Sequence, residues 1–368
     1  MAERVILCDL MYPDDSKSHG GRHRSVQLQE LVESAGFKAA VIPKPVAQSN
    51  GRSYLRGIST ALRHGLPLFG GWRWLRRWGR TVARFEKAFA AESNVAGVLW
   101  ENTRPEGWVI PRLAKACGLP VVAVPQNLEA LARGRVIENV SDYPGRELLW
   151  EAGSMRLADR VYCIAKEEQW WLGWYGVKAS FLPYFLPREL QERLADLRTL
   201  RSANKNFDRF LALGSASNPM TFQGMQALVG MLKGMPGKVP GVDFVGIGTE
   251  RLAESGLPPG VEAHGRVSDE KLDAMMLDCR GILVHQPQAV GALTRVAESL
   301  AAGIPVLANP IAARSAEHFE GVHVYNEAEG LRRLMGADLI VPPRPARPIL
   351  ENEFSADLRR CFQRDDKA

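Results

Sequence analysis

The sequence predicts an α/β protein with two Rossmann-like domains that face each other across a cleft. A chain of 368 residues exceeds one ordinary hydrophobic core and suits two domains. Units of strand, glycine-bearing loop, helix and strand occur in two sets, as at 4–42 and 281–310, which is typical of parallel sheets. A charged stretch without an apolar period separates the sets. We expect domains at 1–186 and 209–345, a linker at 187–208 and a helical tail at 346–368.

The stretch at 281–310 carries the clearest ligand-binding pattern. An apolar strand precedes a loop with Gly291, and a helix then begins at Thr294. Ligands of such units bind beyond the carboxyl ends of the strands, where loop amides and the helix dipole favour phosphate. Arg295 adds positive charge, and Glu298, one turn further, can accept hydrogen bonds from two ribose hydroxyls. The alternative is an ordinary crossover helix with a surface Glu and Arg.

This stretch resembles the nucleotide-sugar site of GT-B glycosyltransferases, especially the retaining family-4 type. That family shows EALAAG-PVV here, and this chain has ESLAAGIPVL from Glu298 onward. The family often has another Glu eight positions earlier, where this chain has Val290; some branches carry Gly-x-x-Thr-Arg instead. The segment 150–164, WEAGSMRLADRVYCI, also resembles the string that closes the family's N-terminal domain. The resemblance covers most of the chain and implies a tail helix that crosses back onto the first domain.

Two more loops of the second domain resemble donor-binding segments. Gly214 and Ser215 follow a predicted strand and match the family's Gly-Ser loop over the donor phosphates. The Arg and Lys that many members carry just after that loop are absent from this chain, and Arg295 is expected to supply their charge. Gly265 and Arg266 begin GRVSDEKL, which resembles the family string G-x-V-S-D-E-E-L. The first half of that string passes beneath the nucleotide base.

The first domain has a matching glycine pair. Gly20 and Gly21 lie in a polar loop predicted at 14–24, together with His23. Adjacent glycines let a backbone approach a ligand closely, and GT-B enzymes typically place a glycine-rich loop here, facing the donor diphosphate and the acceptor. The alternative is a plain tight turn.

Polar residues also follow two neighbouring strands of the first domain. Glu101 follows the predicted strand 95–100, and Asn127 and Glu129 follow the strand 120–124. By the strand-end rule both clusters should face one cleft. The sequence QNLE at 126–129 resembles the family's HN-E, with Gln in place of His. Helix capping by Asn127 is an equally weighted alternative.

The resemblance implies an enzyme that transfers a sugar from a nucleotide-diphosphate sugar, such as a UDP- or GDP-sugar, with retention and without a metal cofactor. Helix N-termini, glycine loops and Arg295 would neutralise the leaving diphosphate, and Glu298 would hold the ribose. The candidate catalytic residues are Arg295, Glu129, Asn127, Glu101 and His23. Two alternatives remain open: a sugar-nucleotide epimerase, and a degenerate glycosyltransferase that acts as a binding protein.

The segment 71–90 is predicted to be a helix in which aromatic and basic residues are interleaved. Trp74, Trp78 and Phe85 share one face, which suits a buried face with arginines in solvent. Tryptophan and arginine also suit an anionic lipid surface or a polyanion groove. The sequence therefore does not decide whether the acceptor is a lipid-linked glycan, a protein, a polysaccharide or a nucleic acid. Peripheral membrane contact through 72–84 is one hypothesis.

Composition argues against a membrane-spanning, secreted or zinc-binding protein. No apolar run has the length of a membrane helix, and MAERVILCDL lacks a signal-peptide pattern. We therefore expect a cytoplasmic protein. Peripheral contact with the inner membrane face is a second hypothesis. Five scattered cysteines predict reduced thiols rather than disulfides, and no Cys/His group has zinc-ligand spacing.

Overall fold

The structure is a computed structural model that describes residues 3–13, 19–44, 51–67, 71–134, 144–203, 207–237, 240–288, 291–316 and 319–363. The chain divides into two compact units. The first comprises Met1–Phe185, Val290–Ala292 and Arg347–Ala368, and the second comprises Leu186–Ala289 and Leu293–Ala346.

Most strands of the described chain are followed by a helix. The strands are β1 Val5–Asp9, β2 Lys38–Val41, β3 Val95–Trp100, β4 Val121–Ala123, β5 Arg160–Cys163, β6 Ala179–Phe181, β7 Arg209–Leu213, β8 Gly241–Val245, β9 Val261–Gly265, β10 Cys279–Val284, β11 Val306–Ala308 and β12 Val322–Val324. The α-helices are α1 Gly20–Ser34, α2 Gly51–His64, α3 Gly71–Ala91, α4 Ile110–Ala116, α5 Glu129–Gly134, α6 Pro144–Met155, α7 Lys166–Trp174, α8 Arg188–Ser202, α9 Pro219–Lys233, α10 Asp269–Asp278, α11 Thr294–Ala301, α12 Pro310–Ala313, α13 Ala328–Gly336 and α14 Leu350–Phe362.

The first unit contains a parallel sheet in the order β2-β1-β3-β4-β5-β6. One face packs against α1 and α14, with Phe354 and Phe362 in its core. The other face packs against α3, α4, α6 and α7, around Trp78 and Trp108. Strand order reverses between β1 and β3, because β2 lies on one side of β1 and the later strands lie on the other. Ligands of open α/β sheets bind at such a point.

Helices α2 and α3 form a closely packed pair through two glycines. A Cβ atom on Gly57 would lie 1.8 Å from the carbonyl oxygen of Leu75, and one on Gly79 would lie 1.8 Å from that of Ser53. Neither position can hold a side chain without separating the helices. The predicted helix at 71–90 is confirmed, and Trp78 and Phe85 are buried, whereas Trp72 is 69% exposed. Helix α2 has no counterpart among the predicted elements.

The second unit contains a parallel sheet in the order β12-β11-β10-β7-β8-β9. The order reverses between β7 and β10, which is the arrangement of the dinucleotide-binding α/β fold. Every strand pair of the two sheets is parallel among the described residues, so the predicted α/β class with two Rossmann-like halves is confirmed.

Two segments differ from their predicted conformation. The stretch expected to be a linker at 187–208 contains α8, which buries Leu194 and Leu197 in the second unit. Arg201 is also buried, and its Nη1 donates to the carbonyl oxygens of Met276 and Leu277. The sequence pattern does not reveal this helix, because only a narrow stripe of its residues is buried and one of these is an arginine.

The other difference concerns the glycine pair of the first unit. Helix α1 begins at Gly20, inside the loop predicted at 14–24, so Gly20 and Gly21 lie in its first turn and do not form a loop. The ring nitrogen Nδ1 of His19 accepts from the N–H of Arg22 at 3.3 Å and caps the helix. Residues 14–18, the other part of the predicted loop, lie outside the described residues.

Candidate functional site

The loops after β7 and β10 flank the point where strand order reverses in the second unit. Gly214 follows β7 with a φ of +152°, in the region that favours glycine. A Cβ atom there would lie 2.7 Å from Cγ2 of Thr221 and 3.2 Å from Nη1 of Arg295. The glycine therefore lets the Arg295 guanidinium lie against the backbone. The structure brings together two residues that the sequence predicted for the donor site.

The guanidinium of Arg295 has one buried nitrogen, Nε, that is not hydrogen-bonded to any described residue. Burial lowers the pKa of Arg295 to about 10, although the negative charge of Glu298 acts in the opposite direction. A buried donor without a partner costs about 1–3 kcal/mol. An anion beside Gly214 would remove that cost.

Helix α11 adds a second source of positive potential. Leu293 precedes the helix, and its side chain makes no capping hydrogen bond. The first N–H groups of a helix lack intrahelical partners and favour an anion. Thr294 and Glu298 are both half-buried, one turn apart on this helix. The predicted contact of Glu298 with the ribose stays a prediction.

Three glycines line the carboxyl ends of β7, β8 and β9. Gly246 has a φ of +141°, and its Cβ would lie 2.0 Å from the carbonyl oxygen of Gly214. The N–H of Gly246 donates to the carbonyl of Gly265 at 2.9 Å, and the N–H of Gly265 donates to Oγ1 of Thr249 at 3.0 Å. Sequence inspection singled out Gly214 and Gly265 but missed Gly246. The signal was its position directly after a buried strand.

Ser215 and Arg266 are less engaged. The hydroxyl of Ser215 accepts from the N–H of Ser217 at 3.3 Å, a contact within its own loop. The side chain of Arg266 is exposed. Their predicted roles at the phosphates and the base rest on the family resemblance and stay predictions.

In the first unit, the two strand-end clusters are joined by hydrogen bonds. Nε2 of Gln126 donates to Oε1 of Glu101 at 2.8 Å and to the carbonyl of Gly21 at 2.7 Å. Glu101 is fully buried and also accepts from Ser25 Oγ at 2.6 Å and from the N–H of Met11 at 2.8 Å. Burial raises its pKa, and these hydrogen bonds oppose the shift. Glu101 therefore positions the surrounding loops from inside the unit.

Gly21 is required for this packing. A Cβ atom there would lie 2.5 Å from Cε2 of Tyr12 and 3.0 Å from Oε1 of Gln126. His23 lies in the next turn position and is half-buried, with its N–H donated to the carbonyl of His19. Gly20, Gly21 and His23 thus surround one helix N-terminus.

Asn127 and Glu129 lie together after β4. Nδ2 of Asn127 donates to Oε1 of Glu129 at 3.2 Å, and Nε of Arg104 lies 3.2 Å from Oε2 of the same carboxylate. Glu151 accepts from the N–H groups of Glu129 and Ala130, both at 2.9 Å. Burial raises the pKa of Glu151 to about 8. Glu129 is therefore a fixed carboxylate in an ion pair, with Glu151 holding its backbone.

Asp9 was missed by sequence inspection. It ends β1, at the reversal point of the first sheet, and is 1% exposed. Arg84 of α3 donates to its Oδ1 at 3.0 Å, while Oδ2 has no hydrogen-bond partner in the described part of the chain. A carboxylate at the end of an apolar strand was the available signal.

Gly291 belongs by its contacts to the first unit, unlike Thr294 and Arg295. Its φ is +60°, and its N–H donates to Oε1 of Glu168 at 3.3 Å. The same oxygen accepts from the N–H of Leu128 at 3.0 Å. Gly291 and Leu128 are thus held by the same buried carboxylate within the first unit. The role predicted for Gly291 in donor binding stays a prediction.

One group of described residues has metal-ligand geometry: Asp243, Glu262 and His264, whose ligand atoms lie within 4.8 Å of one another. Arg209 already donates to both oxygens of Asp243, through Nε and Nη2 at 2.6 Å each. His264 Nε2 lies 2.7 Å from Asp243 Oδ1. A cation here would have to displace Arg209, so the group fits an ion-pair network better than a metal centre.

Comparison with known proteins identifies the fold. No family model matches the chain. No curated protein sequence matches it. Among solved structures, sucrose-phosphate synthase from Thermosynechococcus elongatus matches with a TM-score of 0.66 at 15% identity, over 98% of this chain and 95% of that chain.

Two other matches have similar coverage. Anabaena HepE in complex with UDP gives a TM-score of 0.56 at 14% identity, over 98% of this chain and 95% of that chain. A UDP-forming trehalose-phosphate synthase from Burkholderia xenovorans gives 0.59 at 12% identity, over 99% and 95%. The predicted GT-B fold, with two Rossmann-like units, is therefore confirmed.

Proposed function

We propose that the protein is a glycosyltransferase that uses a nucleotide-diphosphate sugar as its donor. The observation that carries this proposal is the Arg295 guanidinium beside the backbone of Gly214, with a buried Nε that has no hydrogen-bond partner in the described part of the chain. It lies at the strand-order reversal of a dinucleotide-type sheet, where phosphate binds in such folds. HepE, which has the same fold, has been solved with UDP, and UDP- or GDP-sugars are the donors we propose.

The candidate site residues of the second unit each have a role in the proposed reaction. Bond cleavage between the sugar and the diphosphate places growing negative charge on the leaving group. Arg295 and the N-terminus of α11 would stabilise that charge without a bound metal. Glu298 would accept hydrogen bonds from the ribose hydroxyls. Gly214 and Gly246 would keep the backbone close to the phosphates.

We propose transfer with retention of configuration, as the family-4 resemblance implies. In the first unit, Asn127, Glu129 and His23 are the candidates for contacting the acceptor or the transferred sugar. Glu129 already accepts hydrogen bonds from Arg104 and Asn127, which suits a hydrogen-bond-accepting role.

A nucleotide-sugar panel tests this function. We expect UDP- or GDP-sugars to raise the melting temperature of the protein, and calorimetry to give a matching affinity. Incubation with the bound donor alone then separates the classes. An epimerase converts the donor without a second substrate, whereas a glycosyltransferase needs an acceptor. If no nucleotide or nucleotide-sugar binds, the proposal is wrong and a binding role without nucleotide is favoured.

We also propose peripheral membrane contact through α2 and α3. None of the helices in the described residues has the length and apolarity to span a bilayer. Leu55, Leu62 and Trp72 are nevertheless about 70% exposed, and Arg63 and Arg73 are exposed on the same helix pair. Exposed apolar side chains surrounded by arginines suit an anionic lipid surface.

Co-sedimentation with vesicles tests this contact. We expect binding to phosphatidylglycerol vesicles that weakens in Leu62→Ser and Trp72→Ser, with little binding to phosphatidylcholine. The exposed Ile340 of the second unit supplies the matched control, Ile340→Ser. Equal sedimentation of all four proteins with anionic vesicles would contradict the assignment.

A further inference from the structure

A row of arginines runs along α3. Arg76, Arg80 and Arg84 are spaced by four residues, about 6 Å apart along the helix axis, and residues at this spacing share one side of a helix. All three are half-buried. Helix α3 carries five arginines and one lysine against a single acid, Glu86. Like charges one turn apart destabilise a helix, so an anion bound along the row would relieve this repulsion.

The position of the row follows from its contact with Asp9. Arg84 reaches Asp9, the last residue of β1. Helix α3 ends shortly before β3 begins, so it runs towards the amino ends of the strands. Residues earlier in α3 must therefore lie further out on the carboxyl side. Arg80 and Arg76 thus extend beyond the carboxyl end of the first sheet, which is the side where ligands of such sheets bind.

Among the described acids near this row, none forms an ion pair with Arg76. Asp9 accepts from Arg84, and Glu106 lies 3.4 Å from Arg77 in an exposed pair. The Nε atoms of Arg76 and Arg84 are both buried and have no hydrogen-bond partner within the described ranges. These two desolvated donors lie at the two ends of the row, about 12 Å apart along the helix axis, and an oxyanion bound along the row would complete them.

We infer that the acceptor carries a phosphate group and that Arg76, Arg80 and Arg84 bind it at the carboxyl end of the first sheet. Guanidinium groups match phosphate because Nε–H and Nη–H donate in parallel to two oxygens. The inference rests on the proposed function, since it names the acceptor of that reaction. The phosphate belongs either to a small soluble acceptor or to a lipid headgroup, which present the same chemistry to the row.

The test uses matched probes for the two sources. The protein is studied with Arg295→Gln as background, because the donor-site arginine would also bind phosphate. Calorimetry with sn-glycerol 3-phosphate, with glycerol as the uncharged control, tests a soluble acceptor. Co-sedimentation with phosphatidate vesicles, with phosphatidylcholine as the control, tests a lipid source. We expect one or both phosphate probes to bind.

Variants then locate the site. Arg76→Gln and Arg84→Gln, each added to the background, should weaken binding of the phosphate probe at least tenfold. Arg359→Gln, an exposed arginine of α14 on the opposite face of the sheet, should leave it unchanged. Melting temperatures report whether each variant is folded. Arg76→Lys keeps the positive charge but loses the two parallel N–H donors of the guanidinium, so it should recover only part of the affinity.

The inference is overturned if neither phosphate probe binds, or if Arg76→Gln and Arg84→Gln bind as the background does. It is also overturned if the row binds only a mixed-sequence oligonucleotide, which would identify a polyanion site. Titration of the unaltered protein with UDP separately reports the proposed function. UDP binding without phosphate binding on α3 refutes this inference alone, and the reverse result refutes the donor assignment.

Discussion

Arg84 and Asp9 are 75 residues apart in the chain and form an ion pair of 3.0 Å at the carboxyl end of β1. Asp9 is 1% exposed, and its second carboxylate oxygen has no hydrogen-bond partner among the residues described. Burial raises the pKa of Asp9 to about 6, although Arg84 opposes the shift. The pair holds a half-satisfied carboxylate and a guanidinium at one end of the arginine row.

This pair predicts a pH-dependent stability. Since folding raises the pKa of Asp9 from 3.8 to about 6, its contribution is fully present below pH 3.8 and is lost as pH rises through 6. Asp9→Asn should remove this decline and raise the free energy of unfolding at pH 7 by about 1–3 kcal/mol. Urea denaturation between pH 4.5 and 7.5 measures it. Asp196→Asn, at an exposed position of α8, is the control, and parallel pH profiles for Asp9→Asn and wild type would refute the assignment.

Replacing Arg295 should change stability and binding in opposite directions. Arg295→Gln removes a cation whose Nε has no hydrogen-bond partner within the described ranges, so the free protein should be as stable or more stable by about 1 kcal/mol. UDP affinity should fall by about 10- to 100-fold, and turnover should fall further, because charge on the leaving group peaks in the transition state. Chemical denaturation, calorimetry and donor kinetics give the three quantities. Arg333→Gln, on the exposed side of α13, should change none of them; loss of stability without loss of affinity would indicate a structural role.

Glu298 should contribute to nucleotide binding through the ribose. Glu298→Ala is expected to abolish measurable UDP binding while the fold and melting temperature stay unchanged, because a half-buried carboxylate on a helix surface carries little packing. Inorganic pyrophosphate has no ribose, so its affinity should be the same in wild type and Glu298→Ala. Calorimetry with both ligands makes the comparison. An equal loss for UDP and pyrophosphate would show that Glu298 acts on the phosphate site instead.

Gly246 should tolerate no side chain. Its φ of +141° and the 2.0 Å distance from a Cβ atom to the carbonyl oxygen of Gly214 predict that Gly246→Ala lowers the free energy of unfolding by at least about 2 kcal/mol and weakens UDP binding. Gly230→Ala supplies a matched control, since this exposed glycine of α9 has open space around its Cβ position. It should be neutral or stabilise the protein by up to about 1 kcal/mol. Similar effects of the two substitutions would contradict the predicted close backbone contact.

The sequence alone determined the fold class and the donor-side elements. The apolar strands, the glycines that end helices and the helix at Thr294–Ala301 are encoded by the spacing of apolar residues and glycines along the chain. That information is local, and the same strand–helix pattern occurs several times in each sheet. The same local signals placed Gly214 directly after a strand, and Arg295 and Glu298 on the helix that follows the next loop, on the side of the sheet where ligands of parallel sheets bind. Glu129 and Asn127 were also found in this way, as residues directly after a strand.

Tertiary structure decided what local patterns do not encode. The pairing of Asp9 with Arg84, and the link from Gln126 to Glu101 and Gly21, depend on which strands become neighbours in the sheet. Helix α8 forms in a charged segment because its few apolar residues and Arg201 find partners in the second unit. Helix periodicity is a property of adjacent residues, whereas the partner of a buried charge is fixed only when distant segments pack together.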